Sequence, residues 1–510
     1  MRYRAMRRIT WVPLVVLVLS FAAGTLAGCG QRTETSTGGP REGGSTAGPE
    51  ASRLDVSQMG VSLQRLRETV GAANVVICVI DAARADHVGC YGYPRETTPN
   101  IDALARDGIV FEKHFAQFPE TRPSTASLFT GQHPDTHLAY DRRTIDPDSF
   151  TLAKGLKAVG YHTVLFSQNE YASPLWGLGA EFDEAYYEPH LKKGGRDIPE
   201  IWRPEALLEL IGPWVAERPP EPFFAYVHFM PPHNPYIGPP DVKHFFADEE
   251  PPGTWEAPFP FDEVEPELRE KVKGRSQTRY VNLYDGNLRY GDWAVGELER
   301  LLQEAGVFED TIFVVTSDHG EAFGEHGYWG HTFSAFDESI HIPLVVRLPG
   351  SERIVGRISG LTQSVDVLPT LLGLLDIPYP REAVQGRSLV PLLSGEEEEV
   401  NECVFARAAG KPPSYVVRDH GSLLLLYEGG KLKGLYDLRR DRRAVDNVIG
   451  EEPERAEKLG AAFTAFAEGQ TAPPLNFVDP EAAPAQLPDV EEVKVTDEMR
   501  RSLKALGYLK

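Results

Sequence analysis

Residues 74–81, NVVICVID, constrain the fold of this chain more than any other stretch. Positions 75–80 are all apolar, most are β-branched, and the run stops on a carboxylate. A strand apolar on both alternations has to be covered on both faces, as a parallel strand inside an α/β sheet is. Residues 163–167, 223–230, 311–317 and 342–348 read as further strands. Helices are expected over 98–106, from 123 to 129, and over 152–159, 204–217, 279–305 and 364–375, several with proline near the start. This alternation predicts an α/β fold with a mostly parallel central sheet flanked by helices. Ligands of such sheets bind beyond the carboxyl ends of the strands, where Asp81 and Asp318 stand.

From 403 to 438 the character changes to short strands separated by glycine turns, ending VVRDHGSLLLLYEGGKLKGLYDL, followed by a helix over 451–468. This predicts a small C-terminal antiparallel α+β subdomain. The proline- and acid-rich segment 231–278 reads as a long surface loop. The chain has 510 residues, 41% of them hydrophobic and 25% charged, enough for one large domain and a smaller one. A formal net charge of −23 argues against nucleic acid as a partner. Cys29, Cys78, Cys90 and Cys403 have neither a zinc spacing nor the density of a disulfide framework.

The N-terminus, MRYRAMRRITWVPLVVLVLSFAAGTLAGC, has a basic start and an apolar stretch, the pattern of a secretory signal. The alternative is a permanent membrane helix, but small residues interrupt the run before it comfortably spans a bilayer. Leu26-Ala27-Gly28-Cys29 resembles the bacterial lipobox, which implies cleavage before Cys29, lipidation of its thiol, export, and anchoring to the membrane of the cell envelope. The expected organisation is a signal peptide over 1–29, a Gly/Ser/Thr/Pro-rich linker over 30–60, a catalytic domain over 61–395, the subdomain over 396–470, and a tail over 471–510 with a short terminal helix.

Three constellations could carry chemistry. Asp81 with Asp318-His319 offers two carboxylates and an imidazole to a divalent cation, the nitrogen widening the choice toward manganese or zinc; alternatively the carboxylates cap helices. Thr121, in TRPSTASLFTG, lies just before a proline-started helix, where the helix dipole favours anions and a metal could activate the hydroxyl; alternatively Thr121 or Ser124 is an N-cap. His228, His233, His326 and His331 could move protons near neutral pH, or each could be structural.

Together, VVICVIDAARADHVGCYGYPRETTPNIDALARDGIVFEKHFAQ, RPSTASLFTG, HFMPPHNPY, TSDHGEAFGEHGYWGH, ESIHIPLVVRLPG and LYDLRRDRRAVDNV resemble the sulfatase branch of the alkaline-phosphatase superfamily. The resemblance implies that Asp81, Asp318, His319 and Thr121 bind one divalent metal ion (calcium, or manganese, zinc or magnesium). It implies that Thr121 is the nucleophile and that His233, with His228 as a rival, serves the leaving group. His331 stands where many sulfatases place a sulfate-contacting lysine.

The chain also departs from the family. Sulfatases carry Cys or Ser at the nucleophile position, converted to formylglycine, and here it is Thr121. Thr125 replaces an arginine, Ala82 the second Asp of a pair, and Ser167-Gln168-Asn169-Glu170 a lysine- and histidine-containing segment that grips sulfate. An unmodified threonine is what the superfamily uses in phosphodiesterases and in phosphoethanolamine or phosphoglycerol transferases. No upstream Asp-x-x-x-His supplies ligands for a second metal, so His331 or His233 would stand in for it. The expectation is therefore a metal-dependent hydrolase of sulfate or phosphate esters, with envelope- or glycan-derived esters as candidate substrates. The alternatives are a phosphodiesterase or phosphoryl transferase, and a non-catalytic surface binding protein.

Overall fold

The computed structural model describes residues 53–56, 61–140, 143–179, 181–187, 202–217, 219–252, 277–350, 353–410, 413–427 and 429–469. The expected signal peptide with Cys29, most of the expected linker and the tail 471–510 lie outside them.

The strands in chain order are β1 (Arg53–Asp55), β2 (Asn74–Ile80), β3 (Ile109–Phe115), β4 (His162–Ser167), β5 (Glu184–Tyr186), β6 (Phe223–Phe229), β7 (Thr311–Thr316), β8 (Ala322–Phe323), β9 (Trp329–Gly330), β10 (His341–Ile342), β11 (Leu344–Arg347), β12 (Arg353–Gln363), β13 (Val404–Ala408), β14 (Ser414–Arg418), β15 (Ser422–Tyr427) and β16 (Lys431–Asp437). The large sheet runs β1-β12-β3-β11-β7-β2-β6-β4-β5, with β10 also paired to β3. Its neighbours are parallel except at β10 and β11, which run against β3 and, for β11, β7.

The double-sided burial expected of β2 is present. Val75, Ile77 and Val79 enter one core, shared with helices Thr121–Thr130 and Val367–Leu374; Val76, Cys78 and Ile80 enter the other, shared with helices Pro204–Ala216 and Gln277–Glu304. The alternation of side chains along a strand produces that partition directly. The antiparallel sheet β13-β14-β15-β16 presents Val404, Val416 and Leu423 to Phe115 and Ile342 of the large sheet. Its other face packs on helix Pro453–Glu468 through Val417, Leu424 and Phe463.

Several expectations need correction. The helix expected from residue 123 starts at Thr121 with Glu120 as its N-cap, so neither Thr121 nor Ser124 is the cap. Pro123 lies in the first turn, where its missing N–H is not needed. The strand expected over 342–348 is divided at Pro343 into β10 and β11. β3 and β12 were not among the expected strands. β12 carries Gly356, Gly360 and two arginines and shifts register between Ile358 and Leu361, which breaks up its apolar pattern. β1, inside the stretch expected to be linker, pairs with β12. The expected loop 231–278 contains a helical turn, Pro240–Lys243, and residues 253–276 lie outside the described set.

Candidate active site

Three loops leaving the carboxyl ends of β2, β4 and β7 meet the start of the Thr121–Thr130 helix. All ten residues of that helix are buried, and its positive end points at the meeting place. Ser124 holds it there, its hydroxyl donating to the carbonyl of Asp318. Thr125 instead donates back to the Thr121 carbonyl at 2.6 Å.

Asp318 is oriented by its Oδ1, which accepts from the N–H groups of Ala82 (3.1 Å) and His319 (2.9 Å). Ala82 adopts φ 60°, a strained conformation for a residue with a Cβ, and its carbonyl accepts from the Tyr284 hydroxyl at 2.8 Å. Asp81 is oriented by its Oδ2, which meets Asn169 Nδ2 at 2.5 Å and His228 Nε2 at 2.9 Å. Asp81 Oδ1 and Asp318 Oδ2 are left buried with no hydrogen-bond partner among the described residues.

His319 Nδ1 donates to the Gly320 carbonyl at 2.8 Å, which leaves the lone pair on Nε2. That nitrogen lies 3.4 Å from Thr121 Oγ1, 3.5 Å from Asp318 Oδ2 and 3.7 Å from Asp81 Oδ1. A Cβ at Gly320 would stand 2.2 Å from the Glu338 carbonyl, so only glycine lets the chain pass behind His319.

Buried carboxylates without partners are costly. Asp81 and Thr121 are fully buried and Asp318 is 3% exposed. Burial pushes the Asp81 carboxyl up, but His233, His228 and His319 outweigh it and hold the group below the usual carboxylate range. Burial pushes the His319 imidazole down, and Asp318 and Asp81 outweigh that, so it is raised. The donor set of two carboxylate oxygens, an imidazole nitrogen with its other N–H on a carbonyl, and a hydroxyl fits one divalent cation. Asp81, His228 and Asp318 also each offer one atom within a 4.8 Å cluster. His228 is nevertheless committed on both nitrogens, Nδ1 to the Tyr226 hydroxyl at 2.8 Å and Nε2 to Asp81. Through Nε2 it orients Asp81.

His233 and His331 flank the group, their rings 4.8 Å apart and the His331 ring 4.4 Å from that of His319. His233 Nδ1 donates to the Asn234 carbonyl at 2.5 Å, and burial pushes its imidazole below the ordinary value. His331 Nδ1 lies 3.2 Å from Oε1 of the fully buried Glu321, which also accepts from Asn234. Burial pushes the Glu321 carboxyl up, and His331, His233 and His319 outweigh it and lower it. His326 is elsewhere, bound to Glu338 and stacked on Phe336, and belongs to the packing.

Sequence reasoning missed Asn169 and Glu321. Asn169, in the stretch read as having lost its grip on sulfate, donates through Nδ2 to Thr121 Oγ1 at 3.2 Å as well as to Asp81. It follows the end of β4 by two residues, so the strand-end rule that found Asp81 would have found it. A cavity of about 650 Å³ beside His133, Phe405 and Phe466 contains none of these residues and is separate from this site.

The sulfatase family model matches residues 73–377, and the model for the C-terminal region of N-sulphoglucosamine sulphohydrolase matches 324–463. The chain is 26% identical over 398 residues to the multifunctional alkaline phosphatase superfamily protein PehA of Trinickia caryophylli, covering 63% of this chain and 77% of that one. It is 26% identical over 454 residues to choline-sulfatase of Rhizobium meliloti, covering 79% and 87%. Its fold matches the phosphonate monoester hydrolase of Agrobacterium radiobacter with a TM-score of 0.64 at 23% identity, over 77% of this chain and 95% of that one. The family match takes in the large sheet from β2 to β12, the helix bearing Thr121 and both aspartates of the cluster, and the chain belongs to the sulfatase family.

Proposed function

We propose that this chain is a metal-dependent ester hydrolase whose nucleophile is Thr121 Oγ1 and whose substrates are phosphate or sulfate esters, phosphate being the better fit. One observation supports it above the others: the Thr121 hydroxyl, at the positive end of a buried helix, lies 3.4 Å from His319 Nε2, which stands 3.5 Å from Asp318 Oδ2 and 3.7 Å from Asp81 Oδ1, two buried oxygens with no hydrogen-bond partner among the described residues. Asp81 Oδ1, Asp318 Oδ2, His319 Nε2 and Thr121 Oγ1 would hold the ion. A divalent ion there supplies Lewis acidity, easing loss of the hydroxyl proton and offsetting charge on the substrate's non-bridging oxygens.

The chain's own groups do the rest. Asn169 Nδ2 orients Thr121 Oγ1. Oγ1, its proton released to solvent before the attack, forms a bond to phosphorus or sulfur as the bond from that atom to the alcohol oxygen breaks. The departing oxygen takes a proton from the imidazole pair His233 and His331, the latter steadied through Nδ1 by Glu321. A water then attacks the same phosphorus or sulfur and gives its proton back to the pair, and Thr121 leaves as the oxyanion it was before the first attack. A phosphorylated threonine is readily attacked at phosphorus, whereas a sulfated one resists this second step, which favours the phosphoryl substrate.

The test is turnover of 4-nitrophenyl phosphate, a 4-nitrophenyl phosphodiester and 4-nitrophenyl sulfate by wild type and Thr121→Ala, with mass spectrometry of the peptide containing Thr121. Loss of at least about a thousandfold in kcat is expected. Unchanged turnover in the variant would remove Thr121 from the chemistry.

A further inference from the structure

The residue after Thr121 is a buried arginine that the chemistry above does not use. Arg122 is 6% exposed and lies in the first turn of the Thr121–Thr130 helix. The helix dipole disfavours a cation there, because both are positive. The carboxylate of Glu120, the N-cap, lies 4.0 Å from the guanidinium. The guanidinium carbon stands 4.5 Å from the centre of the Trp176 ring and 5.4 Å from that of Tyr171, both rings buried and 5.1 Å apart. A cation over aromatic faces is held most strongly where water is excluded. Those two rings belong to the chain leaving β4, which also carries Asn169. Tyr171 N–H donates to Asn169 Oδ1 at 2.9 Å, and the Asn169 N–H and carbonyl are both bound to the Ser167 hydroxyl, at 3.1 and 2.9 Å. With Oδ1 taken in this way, the amide presents Nδ2 to Asp81 and Thr121. Ser124 fastens the start of the helix to the β7 side through the Asp318 carbonyl, and Arg122 is its counterpart on the β4 side.

Resting on the hydrolase reading above, we propose that Arg122 is a positioning residue, which by stacking on Tyr171 and Trp176 holds the Asn169 amide against Thr121 Oγ1. It acts through Asn169 and takes no part in bond breaking. The nucleophile and its orienting amide come from chain 48 residues apart. Arg122, adjacent to one of them, grips the two rings that follow the other, so the contact between Thr121 and Asn169 does not depend on a single hydrogen bond.

The experiment is a double-mutant cycle of Arg122→Met and Asn169→Ala, read as kcat and KM on whichever of 4-nitrophenyl phosphate, a 4-nitrophenyl phosphodiester and 4-nitrophenyl sulfate wild type turns over fastest. Arg122→Met keeps a long side chain and removes the cation. It should lower kcat about three- to thirtyfold and leave KM within about twofold. In the Asn169→Ala background the same change should lower kcat by no more than about twofold, since the group it positions is gone. Losses that multiply, a loss confined to KM, or a methionine variant as fast as wild type would overturn the proposal. Arg122→Lys serves if the methionine variant does not fold: it keeps the charge without the planar face, and should show a smaller loss that also vanishes beside Asn169→Ala. If wild type hydrolyses none of the esters the hydrolase reading fails, and crystal structures of wild type and the Arg122 variant still decide the positioning. Asn169 Nδ2 beyond about 3.5 Å from Thr121 Oγ1 in the variant alone sustains it, and an unchanged contact overturns it.

Discussion

Replacing Asp318 with Asn should make the chelated protein more stable and the metal-loaded protein less so. The ligand atoms of Asp81, His228 and Asp318 lie within 4.8 Å of one another. Two full negative charges at about that distance repel by ~3.5 kcal/mol at an effective dielectric constant of 20. Asp318 Oδ1 is already engaged by two backbone N–H groups, and an asparagine oxygen can keep both. The amide nitrogen then takes the place of Oδ2, which has no partner, and turns a repulsion toward Asp81 into a possible hydrogen bond. Stripped of divalent ions, Asp318→Asn should therefore exceed wild type by ~2–4 kcal/mol. Wild type should gain about 4.1 kcal/mol or more from an ion at a thousand times its Kd, and the variant far less. The order of stabilities inverts. The assay is urea unfolding followed by tryptophan fluorescence, with EDTA or with added manganese, at about pH 8.5. The pH matters because His319 is raised by these same carboxylates, and its proton would screen the pair at lower pH. If the chelated variant is no more stable than chelated wild type, or if manganese shifts both equally, Asp81 and Asp318 do not face a shared ion.

Asn169→Ala removes the donor common to Asp81 Oδ2 and Thr121 Oγ1. It should lower kcat by about 10–100-fold and leave KM nearly unchanged, as the loss of a group that orients ligands does; a KM effect alone would make Asn169 a substrate contact instead. His137 is fully enclosed, accepts Ala139 N–H on Nδ1, contacts Ser127 Oγ through Nε2, and burial depresses its pKa to about 3. A group depressed on folding contributes stability that is complete above its unfolded value, near 6.5, and lost as the pH falls toward 3. The stability advantage of wild type over His137→Gln should therefore shrink by about 1.4 kcal/mol between pH 7.5 and 5.5 in urea titrations. Parallel profiles would mean that His137 is not held neutral.

How much of this was legible in the chain depends on how local the cause is. The double-sided burial of β2 follows from a short apolar run, and the placement of Asp81 and Asp318 at strand ends follows from where such runs stop. The antiparallel C-terminal sheet was equally legible, because its strands are joined by short glycine turns. β12 was not, because its pairing with β1 and β3 comes from distant chain and its own pattern is interrupted by glycine and arginine.

The chemistry of single residues was decided only by tertiary structure. Composition and spacing allowed His228 to serve a leaving group, and the fold commits it to Tyr226 and Asp81. Asn169 carried no motif, and its importance comes from one amide reaching two residues far from it in sequence. Local pattern alone was enough to find β2, β4, β6 and β7 and the carboxylates beyond the ends of β2 and β7, since periodicity is a property of neighbouring residues. Which oxygen of each carboxylate is engaged and which is left for a cation depends on hydrogen bonds between segments far apart in the chain, and only the folded sheet sets those distances.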